Sequence, residues 1–343
     1  AAARVPQDPN IAATHIETLA GLDFAREAAD IAAAARRRFP NEPHFALLEA
    51  IHAGSAGDDA RADAIFASLQ DQRPLRLLHE ARHRLRRRDP AAAERLLASA
   101  LIAEPWDISA WALRGIAWRM LGDDRAAWLH EQAELVQLRP LAGDAGLIDA
   151  AIAALRKVHE TSPMPLGQSL RGGTQTRGIL FQRRETVLAE LHGAIRATLE
   201  NYRAALPPGD GSHPLLRHRS AAWQLAGSWS VRLTDGGAGG SGDYHTAHIH
   251  PQGLVSSALY LVVPDAAHDP AAQRGWLEIG RPPSDLRLDL EPLRVIQPRP
   301  GHLALFPSTL YHGTTPFGVE SNGITAERLT VAFDVVPSGE TSS

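Results

Sequence analysis

From about residue 25 onward the apolar positions recur with a helical period. Ala28, Ala62, Ala93 and Ala127 are spaced 34, 31 and 34 residues apart. Four positions beyond each stand Ala32, Phe66, Leu97 and Glu131, and seven beyond stand Ala35, Leu69, Ala100 and Glu134. Such an i, i+4, i+7 set with a small first member describes one face of a helix packed closely on a neighbour. Pro40, Pro74, Pro105 and Pro140 punctuate these segments, as proline does where a helix must stop. The clearest preceding helix carries Trp111, Gly115 and Trp118 ahead of a Gly122-Asp123-Asp124 turn. Ala145 to Glu160 reads as one further helix capping the array, and Ser162-Pro163-Met164-Pro165 marks a boundary.

Beyond Pro165 the period changes. One amphipathic helix is predicted over 184–205, followed by short apolar or alternating runs: Ser228–Leu233, Ser256–Val263, Trp276–Ile279, Leu303–Phe306 and Leu329–Val336. Turn-forming clusters separate them, as in Asp235-Gly236-Gly237-Ala238-Gly239-Gly240. Several short strands behind one helical lead-in suggest a β-sandwich or barrel. The expected organisation is therefore a helical domain over 1–160 and a β-domain over 161–343, and 343 residues suffice for two cores.

Composition narrows the chemistry. There is no cysteine, which removes disulfides, thiolate metal sites and cysteine nucleophiles, while 16 histidines leave room for a metal held by imidazole. The net charge of −4, spread over both halves, lacks the basic footprint of a nucleic-acid binder. Lys157 is the only lysine, so no lysine-dependent step is available to the second half. No apolar run reaches membrane-spanning length and no secretory signal is visible, so a cytoplasmic protein without nucleic-acid or membrane partners is expected.

Histidine placement carries the candidate chemistry. In His248-Ile249-His250, residues two apart on a strand point the same way, so both rings can face one ion. A third, His312, follows the run Gly301-His302-Leu303-Ala304-Leu305-Phe306-Pro307, and Arg328-Leu329-Thr330 opens the last strand. Two near ligands and one distant one make a three-point face that leaves other coordination positions open. His302, His213 and His268 read as exposed or structural. Gln168, Arg171, Thr174 and Gln175 form a polar run that fits either an active-site or domain-junction role or a turn built for backbone reasons. Trp229 and Trp276 read as core. Arg232 is a candidate for the barrel mouth. The cluster Arg82, Arg84, Arg86, Arg87, Arg88 reads as a solvated face rather than an acidic-ligand site.

Two resemblances add to this. The Trp111-Gly115-Trp118 helix, its turn and Ala127 resemble the tetratricopeptide repeat, covering roughly residues 10–142 as about four copies, the first of them degenerate. That resemblance implies a solenoid whose concave face holds an extended peptide or partner protein. In the second half, His-x-His, a Tyr-Leu strand ten residues on, Gly-x-Leu-x-x-Phe-Pro before His312, and then Arg-x-Thr resemble the double-stranded β-helix (jelly-roll) dioxygenases dependent on Fe(II) and 2-oxoglutarate. The likeness runs from the Leu166–Thr176 stretch through Ser228–Leu233 to Val331-Ala332-Phe333-Asp334-Val335.

The second resemblance implies that His248 and His312 are metal ligands. His250 stands where most of that superfamily has Asp or Glu; it ligates in the favoured version, with Asp243, His245 or water as the alternatives. Arg328 matches the arginine that pairs with the far carboxylate of 2-oxoglutarate, with Thr330 beside it. Tyr260 either gives a hydroxyl to the same co-substrate or is a core aromatic. The implied activity is oxidative decarboxylation of 2-oxoglutarate to succinate coupled to hydroxylation, with a peptide or protein substrate recruited by the repeats; a small-molecule substrate stays open. Two other readings use the same residues. One is a three-histidine cupin-like dioxygenase without 2-oxoglutarate, against which Arg328 argues. The other is a non-catalytic repeat scaffold with a degenerate oxygenase domain.

Overall fold

The computed structural model describes residues 8–165, 167–234, 243–317 and 326–338. The glycine-rich turn expected over 235–240 lies outside these residues, as does Leu166. The chain forms two compact units. One comprises Ala1–Asp123, Leu166–Gln168 and Ser284–Asp289; the other comprises Asp124–Pro165, Ser169–Pro283 and Leu290–Ser343. The division thus falls at Asp123/Asp124, not at the 160/161 break expected from the sequence.

Over 8–123 the first unit is all-α: α1 (Pro9–Gly21), α2 (Ala25–Arg38), α3 (His44–Ser55), α4 (Asp59–Ser68), α5 (Pro74–Arg86), α6 (Pro90–Ala103) and α7 (Ile108–Leu121). Most consecutive helices pack on each other, and α3 and α5, like α5 and α7, also touch. The small residues are what permits this: Ala28, Ala62 and Ala93 are fully buried, with Ala32, Phe66 and Leu97 buried one turn on. Asp58, Asp89 and Asp107 cap α4, α6 and α7 by accepting from Arg61, Ala92 and Ala110 N–H, which satisfies donors that a helix start leaves open. Gly122, at φ 66°, closes α7 in the left-handed conformation.

The period stops there. Ala127 is exposed, and its segment is a single π turn, Ala127–Glu131, rather than a helix. A helix continuing the pattern would turn Glu131 and Glu134 into the packed face; both are instead exposed. Pro140 ends a strand, β1 (Gln137–Pro140), not a helix, and Pro74 opens α5. The expected capping helix is α8 (Ala145–His159), and its Ala151 and Leu155 belong to the core of the second unit.

The second unit also contains β2 (Leu170–Arg171), β3 (Thr174–Gln175), α9 (Thr186–Ala205), β4 (Trp223–Thr234), β5 (Tyr244–His245), β6 (Val255–Val262), β7 (Leu277–Ile279), β8 (Arg294–Ile296), β9 (His302–Pro307), β10 (His312–Thr314) and β11 (Glu327–Pro337). A six-stranded antiparallel sheet runs β1-β9-β6-β11-β4-β3, and a three-stranded one runs β10-β7-β8. Alternation divides β11 into two faces. Leu329, Val331, Phe333 and Val335 pack with Leu188, Leu191, Ile195 and Leu199 of α9. Arg328, Thr330, Ala332 and Asp334 therefore face the other way. On that opposite side Tyr260, Ala304 and Phe306 of the large sheet meet Leu277 and Ile279 of the small one. This side, between the sheets, is where the histidines gather.

Candidate metal and co-substrate site

His248 sits on a one-residue bridge to His312, His248 N–H donating to the His312 carbonyl at 3.0 Å and His312 N–H to the His248 carbonyl at 2.9 Å. The His-x-His pair is thus held at a bridge, not on the regular strand expected. Gly313 makes room for it. A Cβ there would stand 2.9 Å from the His245 carbonyl oxygen and 3.0 Å from the Ala247 nitrogen. The ring centroids of His248 lie 4.3 Å from those of His312 and 5.1 Å from those of His250, and His250 to His312 is 5.0 Å. One nitrogen from each ring lies within 4.8 Å of the others.

The second nitrogen of each ring is anchored. His248 Nδ1 faces the Thr246 carbonyl at 2.8 Å, His312 Nδ1 the Leu310 carbonyl at 3.2 Å, and His250 Nδ1 the Asp334 carboxylate at 2.5 Å. These acceptors put the proton on Nδ1 and leave the Nε2 lone pair of all three rings for an ion, the usual outer support of histidine ligands. Burial, with the neighbouring His250, pushes His248 down to about 4. Burial, then His248 and His250, pushes His312 well below the usual histidine value. Both are neutral near pH 7, as metal ligation requires. Three convergent imidazoles, each oriented through its Nδ1, fit a divalent transition metal.

Arg328 is 3% exposed, and among the described residues no carboxylate pairs with it. Its Nη1 donates to the Gly275 carbonyl at 3.0 Å, and its guanidinium lies over the Tyr260 ring at 5.2 Å. The Tyr260 hydroxyl is fully buried. Arg328 is near enough to pull its pKa down against the larger upward effect of burial, yet no hydrogen bond of good geometry satisfies it. Tyr260 and Thr330 are register partners across β6 and β11, so they share this face. The Arg328 charge also reaches His245, whose ring is 5.9 Å from that of His248. A buried guanidinium and a buried hydroxyl near the histidine cluster have the chemistry to bind an anion.

The other candidates fall elsewhere. Asp243 and His245 are outside the histidine cluster; Asp243 accepts from Thr234 N–H. Arg232 does not line this face: it pairs with Glu327, which also holds Arg156. Thr174 and Gln175 form the edge strand β3, with Thr174 Oγ1 bonded to His159. Arg171 belongs to β2. Gln168 lies with the first unit. His213 is buried and structural, facing the Leu129 carbonyl, while His302 and His268 lie apart from the cluster. Trp276 is core, bonded to the Ala267 carbonyl. Trp229 instead tilts against His250 at 5.4 Å. Asp334 was not singled out by the sequence reading; the signal was its even spacing from Arg328 and Thr330 on one strand.

Residues 227–334 match the profile of a family described as "Putative 2OG-Fe(II) oxygenase". That stretch includes His248, His250, His312, Tyr260, Arg328, Thr330 and Asp334. In structure the chain is similar to a prolyl-4-hydroxylase from Pseudomonas putida, at 19% identity over 61% of this chain and 95% of that one, with a TM-score of 0.36. It is also similar to HygX from Streptomyces hygroscopicus with nickel and 2-oxoglutarate bound, at 14% identity over 63% of this chain and 87% of that one, with a TM-score of 0.38. No curated protein matches the chain in sequence. Residues 227–334 match a putative 2OG-Fe(II) oxygenase family, and the cofactors expected from the sequence, Fe(II) and 2-oxoglutarate, are those of the matched family. Among the described residues no helix is long and apolar enough to cross a membrane.

Proposed function

We propose that the protein is a 2-oxoglutarate- and Fe(II)-dependent dioxygenase, a hydroxylase acting on a peptide or protein substrate that the helical unit recruits as a tetratricopeptide-like array. The observation that carries the catalytic part is Arg328, a buried guanidinium with no carboxylate partner among the described residues, on the face of the large sheet from which Asp334 also reaches His250 of the histidine cluster. A three-histidine dioxygenase without 2-oxoglutarate would have no use for that charge. Nε2 of His248, His250 and His312 would hold the metal. Arg328 would pair with the far carboxylate of 2-oxoglutarate, with the Tyr260 hydroxyl donating to it and Thr330 alongside. Bound Fe(II), 2-oxoglutarate and dioxygen supply the oxidation, with succinate, carbon dioxide and a hydroxylated C–H as products. The chain's part is to orient these groups and exclude water.

The test is anaerobic titration of 2-oxoglutarate into Fe(II)-loaded protein, read by the visible metal-to-ligand charge-transfer band. The band is expected in the wild type, absent in His312→Ala, and shifted to roughly hundredfold higher 2-oxoglutarate in Arg328→Ala, the scale of a lost charged pair. Iron bound with no band at saturating 2-oxoglutarate would overturn the assignment. For the recruitment part, Asp at the exposed Leu75, Ile102 and Trp106 of the helical unit should cost substrate oxidation while 2-oxoglutarate consumption continues uncoupled.

A further inference from the structure

An imidazole ligates through an uncharged nitrogen, so three of them would leave the charge of a divalent ion uncompensated inside a buried site, and Arg328 adds another positive charge to the same region. A dianionic 2-oxoglutarate would offset Arg328 and one charge of the metal. One positive charge remains. The three anchors of the triad differ in this respect: His248 and His312 donate to backbone carbonyls, whereas His250 donates to a carboxylate, at the shortest of the three distances. We infer that Asp334 is a positioning residue of the metal site, supplying from one atom layer further out the negative charge that no ligand provides and fixing His250 as an Nε2 donor.

The fold builds this contact deliberately. Asp334 and Arg328 point to the same face of β11, so one strand presents both the guanidinium and the carboxylate. Leu254 N–H donates to the Val335 carbonyl at 2.7 Å, tying the turn after His250 to β11, and Gly253 N–H closes that turn onto the His250 carbonyl at 3.1 Å. A Cβ on Gly253 would stand 3.3 Å from the Asp334 Cβ, so the glycine lets the turn lie against the aspartate. The Trp229 ring flanks His250, and the side chains of His250 and Asp334 are 13% and 17% exposed. In such surroundings the charge is weakly screened and its effect on the ring, and through the ring on an ion, is large. The inference rests on the metal-binding reading above.

The experiment is calorimetric titration of Co(II) into metal-free full-length protein for the wild type, Asp334→Asn, His250→Asp and the double variant. Wild-type binding establishes the site. Asp334→Asn is expected to weaken Co(II) by roughly 10–100-fold, the range for outer-layer partners of histidine ligands. In the His250→Asp background the sign should change. There the ligand itself carries the charge and Asp334 only repels it, so Asp334→Asn should leave affinity unchanged or improve it. Equal weakening in both backgrounds would reduce Asp334 to a structural role, and no weakening in either would remove its role; both outcomes overturn the inference while leaving the site intact. A wild type that takes up no Co(II) overturns both. Long-range ¹H–¹⁵N NMR of the unsubstituted protein gives an independent reading: His250 should be the Nδ1–H tautomer, and an Nε2–H ring would overturn the inference without any variant having to fold.

Discussion

Each compact unit buries an arginine, and the two are buried for different ends. Arg86, in the helical unit, has its side chain 2% exposed and its Nε and Nη2 donors occupied. It reaches the Asp285 carboxylate at 2.5 Å, the Asp285 carbonyl at 2.9 Å and Ser55 Oγ at 2.9 Å, and Arg82 donates to both oxygens of the same carboxylate. Arg328, in the β-unit, has a backbone carbonyl and an aromatic face for company. Burial pulls both below the usual arginine pKa; Asp285 opposes this at Arg86, and only Tyr260 does so at Arg328. A buried cation with its counter-charge inside the chain is a strut. One without it bears its desolvation cost uncompensated, a cost that an anionic partner would offset.

The sharpest way to break this comparison is to remove each charge while keeping volume. Arg86→Met strands the Asp285 carboxylate beside Arg82 alone and should destabilise the helical unit by about 3 kcal/mol, the lower end for a broken buried pair. Urea unfolding followed by far-ultraviolet circular dichroism measures it. Arg328→Met removes an uncompensated charge and should stabilise the ligand-free protein by about 1–2 kcal/mol. In the same variant the protection that 2-oxoglutarate adds to the Fe(II)-loaded wild type, about 2.7 kcal/mol at a hundred times Kd, should fall to below about 0.5 kcal/mol at the same concentration. Opposite signs for the two substitutions are the content of the comparison. If Arg328→Met destabilises as Arg86→Met does, Arg328 is structural and the co-substrate site loses its anchor.

How much of this was legible follows from how far apart the partners lie. The histidine face could be read because its near pair shows at i, i+2 and its third member sits behind a recognisable strand and turn. Arg328 and Thr330 came from the resemblance of Arg-x-Thr to the 2-oxoglutarate dioxygenases, and strand alternation then puts both on one face. Asp334 has that period as well, but its meaning depends on His250, 84 residues away, and no local pattern encodes the pairing. The arginine cluster on α5 was misread for the same reason. Arg82 and Arg86 share a helix face, as i, i+4 spacing requires, but Asp285 lies 203 and 199 residues on, so a paired clamp looked like a solvated face. The fourth repeat was different, because its failure was written locally. Glu131 and Glu134 occupy positions where the earlier copies place Phe66 and Leu97, Leu69 and Ala100, and a helix that buried two glutamates without partners would not form.

A smaller effect sharpens the helical half of the comparison. Burial raises the Asp285 pKa, but Arg82 and then Arg86 pull harder, so it lies below its ordinary 3.8. Nearby His79 adds no competing titration near neutrality, because burial and the same two arginines push it down to about 4. A carboxylate depressed on folding stabilises fully above its unfolded pKa and loses that contribution as pH falls through the folded value. The stability difference between wild type and Asp285→Asn should therefore stay level from pH 8 to about 5 and shrink on going below 4. Taking the difference cancels other carboxylates such as Asp59, which Arg287 also holds low against burial. A difference that persists undiminished to pH 2 would mean that Asp285 acts through the shape of its hydrogen bonds, which a neutral acid keeps. The clamp would then be a polar contact, and the contrast with Arg328 would rest on geometry instead of charge.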